Sequence, residues 1–300
     1  PPTSIQHRMS PEAVRRRIAS FAKRFGQGHL YLAYHGAFPL ALTPDLLYRL
    51  WANFQRDIYH EPLKMPWLAV ADLLLSSLCD EVGQELFEMN LAVRNELLRN
   101  LKAAPNLGDQ RINELSDFLL VNVQQHMNST DPAIRAFAHV QRWTALAYTK
   151  PNKAARELAQ ALSELNWNDR AEQVRMASLI ETFTEQLDGF FPLLAYAKGI
   201  AHFARGEMDD AEALFNNAAR DEKVVVVEGV KLRIPKQIHK KIEELQLATQ
   251  RSSEDQIIAT PPDLQKKLVT PLFSAHDLKY HLEQSFPVLH AYLYQRAQRY

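Results

Sequence analysis

The sequence predicts a mainly α fold: helical hairpins in a solenoid or bundle, partly tetratricopeptide-like, with a winged-helix-like unit and a small β-hairpin. Three observations carry this expectation. Glycine is scarce, with nine residues in 300 where average usage gives roughly twenty-one. Apolar residues recur at helical spacing behind Ser-Pro, Thr-Pro and Asp-Pro starts. A run of valines at 224–227 is followed, after Glu228-Gly229, by strict period-two alternation at Val230, Leu232 and Ile234. A chain of this length implies two or three units or one repeat array.

Ser10-Pro11-Glu12 opens the first helix. A serine oxygen can take an orphan amide, proline fits the first turn, and an early carboxylate suits the helix dipole. Val14, Ile18, Phe21 and Phe25 form its apolar stripe, and Gly26-Gln27-Gly28 ends it. Around that stripe stand Arg15, Arg16, Arg17, Lys23 and Arg24, a candidate basic patch. A solvated helix face is the simpler reading, because no stacking aromatics interleave with these charges. A second apolar stretch follows at 29–40. Thr43-Pro44-Asp45 restarts the chain, with Leu46, Leu47, Leu50, Trp51 and Phe54 on one side. Residues 66–78 are nearly all apolar and predict a short helix buried almost all round. A turn-like patch at 81–85, a β-tolerant segment at 86–89 and a helix over 92–101 complete the order helix, helix, small hairpin, helix. That is the order of a winged-helix unit.

Three runs in this region carry a resemblance: 38–54, 66–79 and 85–94, with continuations at 135–149, 192–205 and 224–234. They are similar to a module of large cyanobacterial multidomain proteins, where it accompanies caspase-like, TIR, sulfatase-modifying-factor-like or pentapeptide-repeat regions. The resemblance implies a context of signalling and biological conflict, and no catalytic signature comes with it.

Beyond residue 104 the pattern is of repeated helices. Ile112, Leu115, Phe118, Leu119 and Val123 form one stripe. Asp131-Pro132 caps the next helix, with Ile134, Phe137 and Val140 ahead of 143–148, and helices over 153–165 and 171–183 follow. Gly199, Gly206, Ala211, Phe215 and Ala218 fall at the small and aromatic positions of a tetratricopeptide unit. Ala195, Lys198 and Lys223 depart from it, so an ordinary helical hairpin fits equally. In that alignment Leu193, Tyr196, Ile200 and Phe203 form an apolar face, which would be covered either by this chain or by a partner. At 224–234 the alternation predicts a β-hairpin turning at Glu228-Gly229, with Lys231 and Arg233 outward. A charged helix over 238–247, a linker at 249–263 and two C-terminal helices close the chain. The expected domains are 1–104, 105–248 and 249–300.

Function classes narrow by elimination. Thirty-five basic and thirty-five acidic residues cancel, so the overall charge favours neither nucleic acid nor an anionic membrane. One cysteine, Cys79, excludes an intrachain disulfide and suits a reducing, cytoplasmic setting. The longest apolar stretch, 190–197, falls far short of the roughly twenty residues that span a bilayer. The opening Pro1-Pro2-Thr3-Ser4 reads as a piece excised from something longer. No P-loop, dinucleotide fingerprint or glycine-flanked serine elbow is present. The eleven histidines lack the spacing of three or four that puts two metal ligands on one helical face. No catalytic, cofactor or metal residue is therefore expected. Nucleic acid reading by the winged-helix-like unit is disfavoured, since 66–78 contains no Lys or Arg and the hairpin after it carries Glu81, Glu85 and Glu88. The expectation is a non-enzymatic protein-interaction or scaffold module of a larger signalling effector, with protein as the partner. The alternative is a nucleic-acid-binding regulator using the basic first helix. A cleft where a histidine, an acid and an open pocket converge would argue against the interaction module.

Overall fold

The computed structural model describes residues 9–83, 85–219 and 224–235. The expected 238–247 helix, the linker and the C-terminal helices lie outside the described residues. The described chain is mainly helical, with eleven helices and two small antiparallel hairpins. It divides into two compact units between residues 157 and 158, inside helix α8 (Pro151–Ser163), and Glu185–Leu187 belong with the first unit. The junction expected at 104/105 lies within that first unit.

In the first unit, three sequence starts act as caps. Ser10 Oγ accepts from the Ala13 amide at the head of α1 (Pro11–Phe25). Thr43 Oγ1 does so for Leu46 in α3 (Pro44–Asn53), and Asp131 Oδ1 for Ala133 in α7 (Pro132–Thr149). Gly26, at φ +91°, ends α1 and lets α2 (Gln27–Gly36) start at once. α2 packs against α1, α3, α4 (Ala69–Leu74) and α5 (Leu91–Ala103), so the core gathers around Leu32, Ala33, Phe38, Leu47, Leu50, Leu73 and Leu97. Gly28 is required there, because a Cβ would lie 2.4 Å from the Lys64 carbonyl oxygen.

Strands β1 (Cys79–Gly83) and β2 (Leu86–Met89) form the expected hairpin, and Leu42 and Phe87 exchange both backbone hydrogen bonds on the far edge of β2. α6 (Gly108–Gln124) packs on α7. Two expectations change here. The buried face of α7 is small, with Ala133, Ala138, Gln141 and Ala145 inside and Ile134, Phe137 and Val140 only half-buried. A close α6–α7 approach needs alanines, and Ser116 Oγ donates across it to the Ala145 carbonyl. The 66–78 helix shrinks to the six residues of α4, and it is buried on one side only.

The second unit holds α9 (Arg170–Glu181), α10 (Phe191–Arg205) and α11 (Met208–Ala219), with strands β3 (Val224–Val227) and β4 (Val230–Arg233). α10 is the centre, touching α9, α11 and β3. A Cβ on Gly199 would lie 2.9 Å from the Phe215 ring, so glycine sets the α10–α11 spacing. The β3–β4 hairpin follows the sequence pattern: Val225, Val227 and Leu232 are buried, and Lys231 and Arg233 are exposed. Glu228 and Gly229 both take positive φ, the geometry of a two-residue turn matched to strand twist.

Candidate functional site

α4 presents an open apolar surface in the first unit. Ala69 and Leu73 face the core, so the opposite side, Leu68, Ala71 and Leu75 at i, i+3 and i+7, faces solvent. Trp67 is 64% exposed, Leu68 51% and Leu75 82%. Asp72, on the same helix, meets His29 of α2 at 2.9 Å. Leu75 leads by a short turn into β1, where Asp80, Glu81 and, after the bend, Glu85 are exposed. Asp80 stands opposite Glu88 across the strands. Burial, and then the Asp80 charge, push the Glu88 carboxyl up to about 7. The ridge is thus oily, and the hairpin that follows it is acidic.

The same unit contains a cleft of about 480 Å³ lined by Arg56, Asp57, His60, Gln110, Arg111 and Glu114. Its centre is the buried Arg111. The guanidinium donates through Nε to Glu114 (2.8 Å), through Nη1 to His35 Nε2 (2.7 Å) and through Nη2 to the Arg56 carbonyl (2.7 Å). It also lies 5.0 Å from the Phe54 ring centroid. Arginine only donates, so His35 Nε2 accepts and its Nδ1 carries the proton, given to the Tyr31 carbonyl. Burial, then the Arg111 charge, hold this imidazole down to about 3. Asp57 Oδ1 accepts from the amides of Tyr59 and Glu61, both at 2.9 Å. Burial works to raise the Asp57 carboxyl, but those amides, the Asn106 side chain and the Arg111 charge together hold it below the usual range. Together these groups shape the 55–62 loop, including His60 at φ +68°. Both ring nitrogens of His35 are engaged, so no lone pair is open to a substrate proton.

The remaining sequence candidates fall as follows. Leu193, Tyr196, Ile200 and Phe203 are buried inside the second unit. The Tyr196 hydroxyl donates to the Arg233 carbonyl (2.7 Å), and its ring meets Phe215. Phe203 meets Trp167 edge-on at 5.7 Å. This face is covered by the chain itself, the first of its two expected uses. In the basic patch, Arg15 pairs with Glu96 (3.7 Å), Arg17 donates to the Ser77 carbonyl (3.1 Å) and Arg24 lies over Phe25. Arg16 and Lys23 are exposed. Cys79 is buried, and burial pushes its thiol up to about 12, out of the reactive range.

Sequence spacing missed two groupings. The Arg111–His35–Asp57 cluster joins positions 22 to 76 residues apart, and nothing local signals it. His202, Glu207 and Asp210 converge at the α10–α11 turn. Their spacing of five and three looks scattered along one helix, but Gly206 breaks the helix between them and folds them together. No family model, curated protein or solved structure matches the chain.

Proposed function

We propose that this chain is a non-enzymatic protein-interaction or scaffold module that works in the cytoplasm within a larger signalling or conflict effector. The carrying observation is the exposed ridge of Trp67, Leu68 and Leu75, since large apolar side chains grouped in solvent are the mark of a protein contact. The winged-helix-like order of α2, α3, α4, β1–β2 and α5 serves as its platform. In a DNA reader the positions of α4 and the hairpin would present cations and polar groups. Here they present Trp67, Leu75, Asp80, Glu81 and Glu85. The likeness to modules beside caspase-like and TIR regions supports the context. No described helix is long and apolar enough to cross a membrane.

The test is in-cell photocrosslinking within the intact parent protein, with a diazirine amino acid placed at position 68. Protein adducts are expected, and they should disappear when Trp67→Ser and Leu75→Glu are introduced. A crosslinker at Val121, exposed on α6 away from the ridge in sequence, is the control. Two outcomes overturn the proposal. One is hydrolysis of a nucleotide, peptide or ester that a single substitution in the Arg111 cleft abolishes. The other is low-salt binding to duplex or single strands that is lost on neutralising Arg15, Arg16, Arg17, Lys23 and Arg24.

A further inference from the structure

The turn between α10 and α11 brings three metal-ligating groups together. His202 Nδ1 lies 2.6 Å from Glu207 Oε2 and 3.8 Å from Asp210 Oδ2. All three donor atoms fall within 4.8 Å of one another. The backbone beneath them is fixed: the Glu207 amide donates to the His202 carbonyl and the Gly206 amide to the Phe203 carbonyl, both at 3.0 Å, with Gly206 at φ +84°. That double bond pattern closes a helix and locks the following residue. His202 is thereby held in the last turn of α10, and Glu207 just ahead of α11.

A second observation points to a ligand. His202 Nδ1 and Glu207 Oε2 are shielded from solvent, and neither makes a hydrogen bond. A ring nitrogen and a carboxylate oxygen this close repel through their lone pairs unless a positive centre lies between them. The two stand at ion-pair distance, yet no N–H···O hydrogen bond joins them. A metal ion satisfies both atoms from a position off the line joining them, with Asp210 Oδ2, 3.8 Å from His202 Nδ1, as a third ligand. Ligand atoms about 2.1 Å from one ion sit roughly 3.0–3.4 Å apart in octahedral or tetrahedral geometry. The observed 2.6 and 3.8 Å straddle that interval.

We infer that His202, Glu207 and Asp210 form a binding site for a divalent transition-metal ion of the zinc type. One imidazole with two carboxylates suits zinc, cobalt or nickel, whereas calcium and magnesium require oxygen ligands throughout. Asp210 is 72% exposed, so the ion keeps water in its remaining positions. It staples the last turn of α10 to the first turn of α11. The site lies in the second unit and is independent of the ridge on α4.

The experiment uses the full chain, stripped with EDTA and titrated with ZnCl2, while the His202 imidazole ¹⁵N signals are followed by NMR and assigned by their loss in His202→Gln. The expected result is saturable movement of the His202 Nδ1 signal at one Zn²⁺ per chain. That affinity should weaken at least tenfold in Glu207→Gln and by less in Asp210→Asn, and millimolar MgCl2 should not displace the ion. Asp210→Asn lies on exposed surface and keeps the test open if another variant fails to fold. An Nδ1 signal that reports a proton and does not move with Zn²⁺ overturns the inference. So does an affinity at His202 that is equal in the wild type, Glu207→Gln and Asp210→Asn.

Discussion

A buried and a half-buried group of the first unit titrate in opposite senses, and their opposition predicts a flat stability profile that one substitution should tilt. His35 is held down to about 3, from an ordinary 6.5, by burial and the Arg111 charge. Between those values the unfolded chain binds a proton that the native state refuses, so stability is lost as pH falls from 6.5 towards 3. Glu88 is pushed up to about 7, from an ordinary 4.5, by burial and Asp80. There the native state holds a proton that the unfolded chain has released, so stability is lost as pH rises from 4.5 to 7. Each proton is worth about 1.4 kcal/mol per pH unit. From pH 4.5 to 6.5 the two slopes cancel. Replacing Glu88 by Gln removes one and exposes the other. Glu88→Gln should gain about 2.7 kcal/mol between pH 4.5 and 6.5, where the wild type gains nearly none. Below 4.5 both proteins should lose stability together. Partial exposure of Glu88 softens the cancellation in the wild type but leaves the variant's slope to His35, which is fully buried. Burial also lowers His139, which adds in the same sense. Urea denaturation at half-unit pH intervals, followed by far-UV circular dichroism, measures these slopes. A Glu88→Gln profile flat to within about 0.5 kcal/mol over that window would refute the buried, neutral His35.

Other outcomes follow from particular contacts. Gly28→Ala drives a Cβ onto the Lys64 backbone oxygen and should destabilise by about 2–3 kcal/mol, seen as a lowered Tm. Arg94 is buried and donates to the carbonyls of Phe38 and Pro39. Arg94→Ala leaves both carbonyls unpaired beside a cavity and should cost about 3–5 kcal/mol by urea denaturation. Tyr196→Phe loses the hydrogen bond to the Arg233 carbonyl and should cost about 1–1.5 kcal/mol, with faster amide exchange in β4. Leu75→Glu, on open surface, should change stability by no more than about 0.5 kcal/mol while removing the ridge crosslinks.

What the sequence made legible is what local chemistry decides. Ser10, Thr43 and Asp131 cap helices because a short polar side chain ahead of a proline has few other uses, and the 224–234 alternation paired because period two leaves one face to bury. The candidate face at Leu193, Tyr196, Ile200 and Phe203 was visible as apolar, but its cover was not. Trp167, Phe215 and the β3–β4 hairpin reach it from 19 to 37 residues away, and no periodicity encodes that approach. The ridge was hidden for the opposite reason. An all-apolar run such as 66–78 suits a helix buried on every side, and only the position of α4 at the edge of the unit turns Trp67, Leu68 and Leu75 outward. Hydropathy records what a side chain is, and burial depends on what comes to meet it.

The Arg111 cleft poses the sharpest contrast with the ridge, because a histidine, an acid and an opening do converge there. Proton transfer needs a group that can take up and release a proton near working pH, with a lone pair directed at the substrate. His35 has neither property: its Nε2 lone pair is held by Arg111, and its imidazole stays neutral down to about 3. Asp57 spends one carboxylate oxygen on two loop amides. Freeing His35 would strand the Arg111 guanidinium, which also ties the Arg56 carbonyl and Glu114. These polar groups hold one another, and a group already satisfied by its neighbours has little left for a ligand. On the ridge the balance is reversed: Leu75, at 82% exposure, has almost all of its apolar surface still to bury. On the proposed reading, the free energy for recognition in this unit comes from solvent-facing hydrocarbon, and the polar cluster is the brace that keeps the 55–62 loop in shape.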